Sequence, residues 1–184
     1  MEQPEITVDM RVGAREHPNS WLYVIDPMFG PDEEVPPWGV VGAYPVNEAG
    51  EIVDGFRAND EYRPSPRALR MPAASNALER IMQLIHTRHR TLDALMPVLM
   101  DSTLLVYSTA ADDHQVTGFT GQDGALMVPA CTSAAHVPAS WPGWREVAGR
   151  DLAGLLHGHA LVINPSGPVT AVVPAAHLAE TAGR

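Results

Sequence analysis

The stretch from Asn59 to Pro72 constrains the fold of this chain more than any other segment. It contains Pro64, Pro66 and Pro72. Proline has no backbone N–H and fixes its own φ, and it drives the preceding residues, here Arg63 and Ser65, towards extended conformations. Neither a helix nor an interior strand runs through such a segment. The chain is therefore expected to divide into residues 1–72 and residues 73–184, as two small domains or as halves packed into one unit.

Upstream of this link the pattern is short strands. Trp21–Ile25 is a compact apolar and aromatic run stopped by Asp26-Pro27. Trp38–Val46 reads as a second strand and Glu51–Arg57 as a third, with hairpin-turn chemistry at Asn47–Gly50. Gly30–Pro37 is a loop carrying Asp32-Glu33-Glu34. In Pro4–Glu16, Ile6, Met10 and Ala14 recur at helical spacing, although Ile6-Thr7-Val8 also suits a strand.

Downstream, Asn76 followed by Glu79 three residues later marks a capped helix start, with Leu78, Ile81, Met82 and Ile85 as its apolar stripe. His86, Arg88, His89 and Arg90 gather at its C-terminal end, where cations favour the helix dipole. Thr91 begins a second helix that buries Leu92, Leu95, Met96 and Leu99 and is kinked at Pro97. Strands are expected at Leu104–Tyr107, Val116–Phe119 and Ala125–Ala130, parted by turns at Asp112-Asp113 and Gly121–Gly124. A short helix at Leu152–His157 precedes a hairpin of Leu161–Ile163 and Val169–Val173, closed by a type I turn at Asn164-Pro165-Ser166-Gly167. The expected class is α+β: a small antiparallel N-terminal sheet, then two helices and a mainly antiparallel sheet.

The chemistry available is bounded by what is missing. All 12 basic residues are arginine, so there is no Schiff-base, cofactor-anchoring or phosphate-binding lysine. A net charge of −10 argues against nucleic acid and anionic membrane surfaces as partners. The N-terminus lacks the pattern of a signal peptide and no apolar run is long enough to span a membrane, so a cytoplasmic protein is expected. The lone Cys131 can form neither an internal disulfide nor a cysteine-based zinc site, and no base flanks it to make a nucleophile. No serine stands in a G-x-S-x-G elbow and no G-x-G-x-x-G follows a strand. His157 and His159 come nearest to a metal pattern, since histidines at i and i+2 on a strand share a face; His136 or His177 would supply a third ligand. The plainer reading puts both in a helix-to-strand turn. No catalytic residue and no cofactor follows from the sequence.

Partner binding is the remaining class. The aromatic residues concentrate in the first half beside Arg57, Arg63 and Arg67, and Trp, Tyr and Arg dominate interface hot spots. The candidates for contact are Trp38, Arg57, Tyr62, Arg63 and Arg67, with Arg88 and Arg90 at the helix end, a cluster that suits an acidic partner or a phosphate and equally a solvated helix end. Acidity is uneven: residues 1–70 hold 6 arginines against 13 acidic residues, and residues 71–184 hold 6 against 9.

Ser20–Pro27, Val35–Gly42 and Glu61–Leu69 resemble the actinobacterial type VII secretion system-associated proteins. From about Ala125 the chain resembles the SseB-like domain of that family, through Pro129-Ala130-Cys131-Thr132-Ser133 and Leu161-Val162-Ile163-Asn164-Pro165. Cys131 stands where that family usually has an aromatic residue. The resemblance implies an accessory role near a specialised secretion apparatus; the leading expectation is a non-enzymatic adaptor or chaperone that binds a protein of that system. The resemblance carries no catalytic residues over. An immunity protein that occludes a secreted toxin, and a small metal enzyme built on His157 and His159, stand as alternatives.

Overall fold

The structure is a computed structural model that describes residues 3–109, 116–121 and 124–182. The chain forms two compact units, Met1–Pro72 and Ala73–Arg184. In the first, helix α1 (Val8–Glu16) starts where the Thr7 hydroxyl accepts from the Met10 amide at 3.3 Å. It buries Ala14. The strand alternative at Ile6–Val8 is not adopted, because this cap begins the helix at Val8. Strands β1 (Trp21–Ile25), β2 (Val40–Pro45) and β3 (Arg57–Ala58) form an antiparallel sheet in that order. The second strand is shorter than expected, since Pro37–Gly39 winds into a 3-10 turn with proline at its start. The third is confined to Arg57–Ala58. Gly55, at φ +121, turns the chain after an isolated bridge between Val46 and Ile52, so Glu51–Arg57 is not one strand.

In the second unit, α2 (Ala77–His86) is capped by Asn76, whose Oδ1 accepts from the Glu79 amide at 2.9 Å. The expected second helix divides into a 3-10 turn at Leu92–Ala94 and α3 (Leu95–Met100). Pro97 explains the division, because its ring excludes an α-helical carbonyl at Asp93. Strands β4 (Thr103–Tyr107), β5 (Phe119–Thr120), β6 (Leu126–Cys131), β7 (Trp144–Ala148), β8 (Ala160–Ile163) and β9 (Ala171–Val173) form one sheet, ordered β7-β4-β6-β8-β9 with β5 beside β6. Asp112-Asp113, and Gln122-Asp123 of the second expected turn, lie outside the described residues.

Four of this sheet's five strand pairings are antiparallel, as expected, and the fifth makes the sheet a mixed one. β6 and β8 run parallel, Met127 opposite Ala160 through Ala130 opposite Ile163, and the chain between them leaves to form β7 and α4 (Gly149–Leu155). Wholly apolar strands are the pattern that parallel, two-sided burial requires. β8 and β9 form the expected hairpin, with the Gly167 amide donating to the Asn164 carbonyl at 2.9 Å. Helix α5 (Ala175–Ala182) ends the described chain. Leu104, Val106, Val128, Ala130, Leu161 and Ile163 share one sheet face in the core, where Leu78, Leu99, Leu152, Leu156 and Leu178 are also buried. No helix is long and apolar enough to cross a membrane among the described residues.

Candidate functional site

In the first unit, strand β1 alternates, and the residues it turns outward are the large ones. Trp21 is 39 % exposed, Tyr23 63 % and Ile25 36 %. Trp21 lies opposite Pro45, Tyr23 opposite Ala43, and Ala43 opposite Arg57, so these side chains share one face of the sheet. The Arg57 guanidinium stands 4.7 Å from the Trp21 ring centroid, a cation–π contact that holds the long arginine over the indole. β1 is also the outer strand, and among the described residues no strand pairs with its other edge.

A buried carboxylate fixes this strand to the proline link. Asp26 follows β1 directly and accepts from the Tyr62 hydroxyl, the Ser65 amide and the Met28 amide, each at 2.9 Å. Burial raises the Tyr62 phenol far above its ordinary value, and the hydrogen bond and charge of Asp26 add to the effect. Tyr62 is thus an anchor of the link, with its hydroxyl turned inward. Trp38 is half-buried and packs on Phe29, ring centroids 5.4 Å apart. Arg57, Arg63 and Arg67 are exposed. Arg88 and Arg90 belong to the other unit, exposed in the turn after α2. The structure therefore brings Arg57 onto the β1 face and does not gather all the sequence candidates into one site. Trp21 and Tyr23, which are not among the contact candidates drawn from the sequence, carry that face; their alternation with Leu22 and Val24 along β1 is the signal that marks it.

The second unit holds a polar knot around Glu79. Its Oε1 accepts from the hydroxyls of Thr132 and Ser133, both at 2.8 Å, and from Asn76 Nδ2 at 3.2 Å. Its Oε2 accepts from the Ser75 amide at 2.7 Å and hydroxyl at 2.9 Å. His136 Nε2 lies 3.4 Å from Oε1. Asn164 completes the knot: its Oδ1 accepts from the Thr132 amide at 2.9 Å and its Nδ2 donates to the Thr132 hydroxyl at 2.9 Å. Burial pushes the Glu79 carboxyl up, but the Ser75 amide and the Thr132, Ser133 and Ser75 hydroxyls outweigh it and bring the pKa down from 4.5 to about 2. Glu79 is thereby held as a carboxylate with its lone pairs occupied, the opposite of what a general base needs. The arrangement locks the start of α2 to the ends of β6 and β8.

Residues 63–180 match the family model of the SseB protein N-terminal domain. The chain belongs to that family. No curated protein and no solved structure matches the chain. Within this SseB domain, Thr132-Ser133 and Asn164-Pro165 are the strand ends that the Glu79 knot joins. Their resemblance to SseB-like sequences is thus carried by residues that hold the domain's strands together. Cys131 is buried beside them, its thiol donating to the His136 carbonyl at 3.3 Å, and burial pushes it up to about 11.

The two histidines of the metal pattern do not lie together on a strand. His157 sits in the turn after α4 at φ +48, and His159 precedes β8. His136 is engaged with Glu79, and His177 lies on α5. Among the described residues, no three His, Cys, Asp or Glu side chains are grouped to hold an ion. The sequence also gave no sign of a cleft of about 700 Å³ on the sheet face away from the core, where Tyr107, Phe119 and Trp141 meet edge to face above Met127 and Val162.

Proposed function

We propose that this protein is a non-enzymatic, cytoplasmic accessory factor that binds a partner protein of an actinobacterial type VII secretion system, as adaptor or chaperone. The observation that carries the reading is the exposed Trp21–Tyr23–Ile25 face of an edge strand whose outer edge meets no other strand among the described residues, with Arg57 stacked on Trp21. Large aromatic side chains beside an arginine are the composition of interface hot spots, and an open strand edge accepts an extended segment through its backbone. The unit that bears this face holds 13 acidic residues against 6 arginines over residues 1–70. The partner segment is therefore basic around its apolar anchor, and the field of the unit steers its approach. Support for the secretion context is the resemblance of Ser20–Pro27, Val35–Gly42 and Glu61–Leu69 to proteins of that system.

The test is parallel affinity purification, from the producing cell, of the wild-type chain and of Trp21→Ala/Tyr23→Ala, with mass spectrometry of what co-purifies. A secretion component or substrate retained by the wild type and lost from the variant supports the proposal. An identical set of proteins with both baits refutes the assigned face. A single secreted toxin bound at nanomolar affinity refutes the accessory role in favour of the immunity reading.

A further inference from the structure

The second unit carries a surface of opposite character at the other end of its sheet. β9 is the last strand in the order, so its outer edge pairs with no strand among the described residues. Two cavities of about 240 and 160 Å³ lie there and share Leu92, Leu95 and Val172, which makes them one groove. Thr170, Ala171, Val172 and Val173 line it consecutively. Neighbouring residues of a strand point to opposite faces, so a consecutive lining means that the groove follows the backbone edge of β9. Its opposite wall is α2 and the Leu92–Met96 segment. Leu92 is 62 % exposed and Val172 55 %, both large apolar side chains left open to water.

Charge then says what fits. The run Leu84–Leu92 holds His86, Arg88, His89 and Arg90 and no acidic residue, in a chain of net charge −10. His86 and Leu92, at either side of the Thr87–Thr91 turn, both line the groove. Arg88 and Arg90 are exposed in that turn, and neither forms an ion pair with a described residue. Asp93 is the acidic residue of the lining and His177 stands near it on α5. The turn itself is built at a cost. The His89 amide donates to the Leu84 carbonyl at 2.8 Å and the Arg88 amide to the Ile85 carbonyl at 3.0 Å, the Schellman closure of a helix, with Arg88 at φ +62. Glycine takes that position without strain; here it is filled by a long cation.

We propose that this groove binds an extended acidic segment of a partner protein. The segment lies along the outer edge of β9, its apolar side chains on Leu92 and Val172 and its carboxylates on Arg88 and Arg90. Backbone pairing supplies the register and the guanidinium groups supply the choice of charge. The rest of this acidic protein repels such a segment, so the site is selected against its surroundings. It is distinct from the β1 face, which favours a basic partner.

The position of Arg88 makes the test clean. The probe is a fluorescein-labelled, amidated hexapeptide alternating Asp or Glu with Val or Leu, read by anisotropy against the full chain. The control replaces each carboxylate by its amide. The acidic peptide is expected to bind at least about tenfold tighter than the neutral one and to weaken with added salt. Arg88→Gly and Arg90→Ala each lower affinity about three- to tenfold. Arg88→Gly does so with a melting temperature equal to or above that of the wild type, because glycine relieves the strained turn. Equal binding of both peptides, no binding at up to about 1 mM, or full affinity in Arg88→Gly overturns the proposal.

Discussion

Replacing Glu79 by glutamine tests the account of the polar knot. The side chain keeps its shape but turns an acceptor-only carboxylate into an amide, whose NH2 must face groups that now donate: the Ser75 amide and hydroxyl, or the hydroxyls of Thr132 and Ser133. The fall of the carboxyl pKa from 4.5 to about 2 sets the scale. Converted at about 1.4 kcal/mol per unit, it gives the ionised form about 3 kcal/mol of extra stability in the fold. At pH 7 that stability is fully present in the wild type, because Glu79 is ionised both folded and unfolded. As the pH falls through about 4.5 the unfolded chain takes up the proton first. The contribution then shrinks until the folded group is protonated near pH 2. Glu79→Gln should therefore lose about 3 kcal/mol at neutral pH, roughly a 10 °C lower melting temperature. Its stability should also fall less steeply than the wild type's between pH 5 and 2. Urea unfolding followed by circular dichroism at a series of pH values measures both. A neutral-pH loss below about 0.5 kcal/mol, or parallel acid slopes, would refute the claim that these donors stabilise the charge.

Other consequences are as direct. Tyr62→Phe removes one of the three donors to buried Asp26 and should cost about 1–2 kcal/mol in urea unfolding of the first unit, with the aromatic packing kept. The buried Cys131 thiol, pushed up to about 11, should resist a thiol reagent at pH 8 in the folded protein and react at once in denaturant; fast labelling of the native chain would contradict its placement. Gly149→Ala places a methyl group against the Leu99 carbonyl oxygen, where β7 runs into α4. It should cost about 3 kcal/mol or prevent folding, seen as loss of soluble expression or of the thermal transition.

Local features were legible in the sequence, and long-range ones were not. The start of α2 was readable because Asn76, Glu79 and the Leu78–Ile85 stripe act within one or two helical turns. The Asn164–Gly167 turn was readable for the same reason. β7 was missed because its centre, Arg145-Glu146, is polar and only Val147 is wholly buried, so no clean alternation marks it. α5 was missed because Leu178 is its single large buried anchor in an alanine-rich run. The parallel pairing of β6 with β8 leaves no signature in either strand beyond apolarity. For the candidate sites, Arg88 and Arg90 could be named from their spacing, but not the groove beside them, because Val172 arrives from a distant hairpin. The knot on Glu79 joins residues 53 and 32 positions apart, and its trace in the sequence was small polar residues at the ends of apolar strands.

Those separations have a consequence for how the chain is made. A ribosome releases the residues of the first unit early, and every partner of Asp26 lies within them. Glu79 emerges soon afterwards, yet waits for Thr132, and Thr132 waits for Asn164. Until Asn164 has left the exit tunnel, the contact of Glu79 with Thr132 has no tie to the end of β8. The unit that carries the SseB fold therefore closes only once β8 and Asn164 have been made, after the first unit has had time to form. A nascent chain stalled before Asn164 should thus present a finished β1 face while α2 and β6 are still open to protease.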